Sequence, residues 1–456
     1  MNKRFLLLPI VLISLSACGN KPTTSKPSTS EEEPLTYHLS FDAKGLNKEG
    51  ATEKYKVSYD IDYFEDDFVG SGLTYNPNLA LLSLASTLNQ ERKDLAEAFY
   101  TTLAFDNVIY SPEYDTAWDK DTVLYTFAHK QIEDKEVIAV AVNGFEYKQA
   151  WESNFIWGKE GNASGFESAA TKLRSAFDAY FESYKANNPT IWITGYSRSA
   201  AISGIFLENL LEEHVVSEEQ INAYLFEAPG TMVEENIHNH PSIRNIVNNA
   251  DFVANSLPKK FGFKRPGIDL DIYSTSQDTI VSSFYNSDLS LAPFKSSKDY
   301  ADEVEFIDYL YNNILLKEIS GEDAHDASTR ENYVDNYESS ISYVIGLFFS
   351  LKEETITAIR NEFNDFGILD YLSLLSEDGI YDFLKPILDT YEETYDDAML
   401  KTATNRLGEF LRNNSGALTR FATNSDFKNN LLRVGELHSP EVVLPLLINY
   451  NNSVRQ

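Results

Sequence analysis

The chain has 456 residues, 43% of them hydrophobic and 13% aromatic, enough for a large core in two or three domain-sized units. A formal charge of −32 excludes a nucleic-acid-binding surface and disfavours broad contact with anionic lipid, and it suits a solvated acidic exterior. A single cysteine, Cys18, leaves the rest of the chain without disulfides, thiolate metal centres or a cysteine nucleophile.

Lys3 and Arg4 precede an apolar run, Phe5 to Leu15, and then Leu15, Ser16, Ala17 and Cys18. Basic residues, a short apolar segment and small residues in that order predict a secretory signal peptide over 1–17. The run is too short for a permanent transmembrane helix, which needs about 20 residues. Leu, two small residues and Cys resemble the bacterial lipobox, which implies a diacylglycerol thioether on Cys18 and residence on the outer face of a bacterial cell membrane. Residues 18–34, rich in Ser, Thr, Pro, Lys and Glu, predict a flexible spacer above that membrane.

Apolar positions at helical spacing predict a helix over 79–104, with Asn76 and Pro77 at its start. The acidic run Asp60, Asp62, Glu65, Asp66 and Asp67 lacks the glycine and spacing of a calcium loop and reads as a solvated face. A continuously apolar stretch rich in β-branched residues over 137–142 predicts a strand covered on both faces. A helix over 166–184, a strand over 190–194, a helix over 198–213 and strands over 223–226 and 243–247 follow. Strands alternating with helices imply an α/β fold with a mainly parallel sheet. After Tyr273 strand signals fade, and amphipathic helices are expected over 301–316, 333–351 and 380–412. The expected organisation is thus a core over 35–273, a helical insertion over 274–430, and a return to the core over 431–456. Within the insertion, residues 341–351 carry no charge, as a buried helix or the lining of a cap would.

The chemistry-bearing segment is TIWITGYSRSAAISGIFLENLL, Thr190 to Leu211. A strand runs through Gly195 and Tyr196 into Ser197, and a helix follows at once. That is the setting of a nucleophile elbow, which thrusts a serine hydroxyl out above a sheet. Small neighbours are needed there, and Ser199 stands where the motif usually has glycine. The helix N-terminus offers the Arg198 N–H to a developing oxyanion. His238 and His240 are spaced to meet one metal ion, but no third ligand is evident in the sequence. No phosphate-binding or dinucleotide motif is present, and neither a metal nor another cofactor is expected.

With its surroundings, this elbow resembles the class 3 lipase family, in particular a bacterial branch with a GYSRG or GHSRG elbow. IAVAVNGFEY, Ile138 to Tyr147, is similar to the family's VVAFRGT strand, which implies a second oxyanion N–H at Phe145. Trp151, Asn154 and Phe155 fit its W..NF pattern, whereas Ala163 replaces a common histidine. AYLFEAPGTM and NIVNNADFVANSLPKKFGFKRPG are similar to the next two strands and loops, and the second places the triad acid at Asp251, with Asp269 and Asp271 as substitutes. His325 and His438 follow the acid, and GELHSPEVVLPLLINY resembles the family's histidine loop and points to His438. The resemblance implies an α/β-hydrolase core, a Ser197–His438–Asp251 triad and hydrolysis of carboxylic, lipid acyl esters through an acyl-enzyme. The alternative is a surface adhesion lipoprotein that keeps the hydrolase fold without activity.

Overall fold

The computed structural model describes residues 33–46, 52–116, 118–144, 148–251, 253–255, 257, 261–285, 330–364, 368–413 and 437–455. The leader 1–17, Cys18 and nearly all of the spacer lie outside these residues, as do Phe145, the helix expected over 301–316, and His325.

Seven strands form the central sheet: β3 (Asp106–Tyr110), β4 (Tyr125–Ile132), β5 (Lys135–Val142), β6 (Thr190–Tyr196), β7 (Ile221–Phe226), β9 (Ile243–Val247) and β11 (Ile268–Asp271). Their order is β11-β9-β7-β6-β5-β4-β3. From β5 to β11 every pairing is parallel, and β4 and β3 add an antiparallel edge. This is the mainly parallel sheet that the alternation of strands and helices predicts, in keeping with the α/β-hydrolase core that the resemblance implies. Two-residue strands β8 (Met232–Val233) and β10 (Phe263–Lys264) pair separately.

The alternation of β6 builds the layers. Ile191 and Ile193 face helices α3 (Ser164–Phe181) and α4 (Arg198–Glu212), packing with Phe177, Ile205 and Phe206. Trp192 and Tyr196 face the opposite layer, made by α1 (Pro77–Leu88), α2 (Lys93–Thr102), α5 (Gln277–Phe284) and the C-terminal helix α12 (Pro440–Val454). The indole N–H of Trp192 donates to the Ser83 hydroxyl at 2.8 Å, so this large side chain is buried without an orphaned donor.

An antiparallel hairpin, β1 (Leu35–Leu46) and β2 (Thr52–Tyr63), joins that second layer. Leu39, Ala43, Val57 and Ile61 point inward at a period of two, while Asp60 and Asp62 point outward to His38 and Thr36. The solvated acidic face is therefore partly one side of a strand. The helix expected over 79–104 is two helices. Asn89 ends the first, its side-chain amide donating to Ala85 O at 2.8 Å, and the second starts after Arg92.

Beyond the core lie α6 (Arg330–Asn336), α7 (Glu338–Ser350), α8 (Glu353–Asn364), α9 (Ile368–Leu374), α10 (Gly379–Thr390) and α11 (Asp397–Asn413). The helices expected over 333–351 and 380–412 are each broken in two, near Tyr337 and across 391–396.

Candidate active site

Strand β6 ends at Tyr196 and leads into Ser197, whose backbone sits at φ 56° and ψ −124°, a region that non-glycine residues enter at a cost of about 1–3 kcal/mol. The surroundings over-determine it. Ser197 N donates to Phe226 O at 2.8 Å, and Ala201 N donates back to Ser197 O at 3.2 Å as α4 begins. Gly195 has no room for a side chain, since a Cβ there would lie 2.9 Å from the Ala200 backbone. Gly144 presses still closer from the end of β5: its Cβ would meet Tyr196 O at 2.0 Å. The serine that replaces the motif's last glycine is used. Ser199 Oγ accepts from Tyr196 N at 2.8 Å and donates to Tyr196 O at 2.9 Å, which ties the bend across its base.

Three distant parts of the chain meet at this bend. His438 Nε2 lies 2.7 Å from Ser197 Oγ, and His438 Nδ1 lies 2.5 Å from Asp251 Oδ2. An ionised carboxylate can only accept, so Nδ1 carries the hydrogen and Nε2 is left to accept from the hydroxyl. Asp251 is fully buried in the turn after β9, where its carboxylate also accepts from Val253 N at 2.9 Å and Ala254 N at 3.3 Å. The Tyr196 hydroxyl donates to His438 O at 2.7 Å, and its ring stands edge-on to the imidazole at 5.6 Å, fixing the histidine just before α12. The substitutes are engaged elsewhere: Asp269 faces Arg265, and Asp271 accepts from Asn249 Nδ2 at 2.6 Å.

Arg198 is the first residue of α4, so its N–H lies at the positive end of that helix. Its guanidinium turns inward, donating to Asn154 Oδ1 at 2.7 Å and lying 5.0 Å from the Phe166 ring. Asn154 is thereby more than a pattern residue. It couples the segment Lys148–Phe155, which follows β5 in the chain, to the elbow.

One residue of the site was missed in the sequence. Glu227 follows β7 at φ 49°, is fully buried, and accepts from Asn248 N at 3.1 and 3.2 Å through its two oxygens. It shares a hydrogen bond with Asp251. Burial, reinforced by the neighbouring Asp251 charge, pushes its carboxyl well above the usual carboxylate range. A neutral acid therefore donates to the carboxylate that orients the imidazole. The only sequence signal is an acid directly after an apolar strand, in AYLFEAPG.

The helical region is clamped to the loop after residue 155. Arg330 donates to the carbonyls of Gly158 at 2.6 Å and Gly161 at 2.8 Å and to that of Trp157 at 2.5 Å, while Glu338 accepts from Trp157 N at 2.6 Å and Gly158 N at 3.0 Å. The half-buried α7 then lays Phe349 flat on Trp151 at 4.1 Å and leaves Phe348 exposed. Separately, the fold brings Glu208 to His238 and His240, a partner the sequence did not reveal.

A mainly parallel sheet with a hydroxyl on the bend after a central strand defines the α/β-hydrolase class of fold. Residues 122–261 match the family of class 3 lipases, a stretch that includes the elbow and Asp251 but not His438. Solved structures similar to the chain include a fungal lipase in complex with an inhibitor, 16% identical over 43% of this chain and 80% of that one, TM-score 0.34. A lipase of Rhizopus microsporus var. chinensis is 13% identical over 50% and 88%, TM-score 0.34. The Lip2 lipase of Yarrowia lipolytica is 11% identical over 43% and 78%, TM-score 0.34. No curated protein matches the chain.

Proposed function

We propose that this protein is a serine hydrolase of carboxylic esters, with lipid acyl esters as its substrate class. The observation that carries the reading is the hydrogen-bonded line from Ser197 Oγ through both nitrogens of His438 to Asp251, at a hydroxyl held on a strained bend. The class 3 lipase match over 122–261 supports the choice of lipid esters.

In this mechanism His438 Nε2 takes the proton as Ser197 Oγ attacks the ester carbonyl, and Asp251 stabilises the imidazolium that forms. The Arg198 N–H, joined on the family resemblance by that of Phe145, holds the tetrahedral oxyanion. Collapse breaks the bond to the alcohol, which leaves with the proton from His438. A water, deprotonated by the same nitrogen, then attacks the acyl-enzyme and releases the acid. Ser197 is only 5% exposed, so an acyl chain must displace part of its cover. Helix α7, uncharged from Ile341 onward and packed on the segment beside the elbow, serves in this reading as the cap the chain meets. We propose further that the leader is cleaved and that Cys18 carries a lipid holding the enzyme on the outer face of a bacterial membrane.

A fluorophosphonate probe should label the wild type and leave Ser197→Ala unlabelled, with turnover of a p-nitrophenyl ester reduced roughly 10⁴–10⁶-fold and the thermal midpoint essentially kept. Equal labelling of the two proteins would eliminate the serine mechanism.

A further inference from the structure

On the far end of the elbow helix, eleven residues after the nucleophile, Glu208 is 1% exposed among Leu207, Leu210 and Leu211. A carboxylate at that depth needs strong compensation. One oxygen, Oε1, accepts from His238 N at 2.8 Å and lies 2.5 Å from His238 Nδ1. The other, Oε2, has no hydrogen-bond partner among the described residues.

His240 completes the arrangement. Its Nδ1 lies 3.2 Å from Glu218 Oε1, so Nδ1 carries a hydrogen and, in the neutral ring a metal requires, Nε2 presents a lone pair. That Nε2 is buried, has no hydrogen-bond partner among the described residues, and points at Glu208 Oε1 from 3.6 Å. With the ring neutral, two acceptors face one another across the width of a cation. Donor atoms of Glu208, His238 and His240 all lie within 4.8 Å of one another, and Glu212 Oε1 stands 3.9 Å from His238 Nδ1.

We propose that Glu208, His238 and His240 form a divalent-cation site of the zinc class, with Glu218 orienting the His240 ring. Bond lengths of about 2.0–2.2 Å in a tetrahedron separate neighbouring ligand atoms by roughly 3.4 Å. The His240–Glu208 separation already has nearly that value. His238 is half-exposed and has room to rotate outward from its present hydrogen bond. Two imidazole donors select a borderline metal over calcium or magnesium, which take oxygen ligands. Glu212 or water supplies the fourth position. The ion would brace the connection between β8 and β9 against α4, and so join the helix that carries Ser197 to the strand that leads to Asp251. It takes no part in the ester chemistry proposed above, and its test does not depend on that chemistry.

The full chain, stripped with a chelator, is titrated with Zn²⁺ by calorimetry and with Co²⁺ by visible absorption. One equivalent of each is expected to bind, with tetrahedral cobalt bands and a raised thermal midpoint, while Ca²⁺ and Mg²⁺ give neither. His238→Asn at an exposed ring and Glu208→Gln should each weaken zinc at least tenfold, Glu218→Gln should weaken it about 10–100-fold, and His214→Asn at an exposed site should leave it unchanged. Should Glu208→Gln fail to fold, His238→Asn and His240→Gln decide the matter. Absence of stoichiometric binding in the wild type, as expected if His240 is simply an imidazolium, overturns the site. So does undiminished binding in the histidine variants.

Discussion

At the scale of single residues, Glu227 makes a prediction that the proposed triad itself does not. Its folded pKa is raised by burial and by Asp251, so it favours folding below the unfolded value of about 4.3, and that contribution is lost as pH rises toward the folded value. Glu227→Gln keeps the shape and a donor toward Asp251 while removing the ionisable group. Its thermal midpoint relative to wild type should therefore rise from pH 4 to pH 8, and parallel melting curves across that range would refute a buried neutral acid. Asp251→Asn should lower kcat by about 10⁴-fold with little change in KM, through loss of the imidazole's correct tautomer; stopped assays on a soluble ester measure this. Ser197 could be proposed from its strand-to-helix context, whereas Asp251 and the choice of His438 over His325 rested on the resemblance to class 3 lipases. Glu227 was not legible, since its neutrality depends on a neighbour 24 positions away that only the sheet brings close.

At the scale of elements, the Arg330 and Glu338 clamp makes α6 and α7 an extension of the loop after residue 155. Arg330→Met removes several charge-assisted bonds to part-buried carbonyls, each worth at most about 1.5–3 kcal/mol. Amide exchange over 330–350 should accelerate at least tenfold while that of β6 and β7 stays slow. Phe348→Asp, on the exposed side of α7, should raise KM for a long-chain ester about 10–100-fold, the equivalent of an aromatic side chain's burial, and leave turnover of an acetate ester within twofold. Equal losses on both esters would remove α7 from acyl recognition. The helix breaks at Asn89 and across 391–396 escaped the sequence because apolar spacing continues through them: Leu84 before the first turn and Phe99 after it pack into one layer. The β1–β2 hairpin escaped for the opposite reason, its outward Asp and Lys positions diluting a two-residue alternation into what looks like an acidic stretch.

At the scale of the whole molecule, the sheet is buried on both sides: β6, β7 and β9 are buried at nearly every position, and β5 reads as a continuous apolar run over 137–142. That is why the core was legible, whereas the placement of the antiparallel edge β3 and β4 was not, since nothing local states which edge of a sheet a strand will join. A charge of −32 on one chain repels itself, so raising ionic strength from 10 mM to about 150 mM, where the screening length falls to about 8 Å, should raise the thermal midpoint. If Cys18 bears the anchor, Cys18→Ser should move the protein from the membrane fraction to the medium, followed by fractionation and immunoblot.

Ser197 and His438, the nucleophile and base of the proposed mechanism, lie 241 residues apart in the chain. A ribosome adding about 5–20 residues per second needs on the order of 10–50 s to travel from one to the other. Throughout that interval Ser197 has no imidazole to deprotonate it, so on the proposed mechanism the nascent polypeptide is chemically mute toward esters. Competence would arrive in a single late event, when the last helix docks, and every product of premature termination in between would be a shape without a reaction.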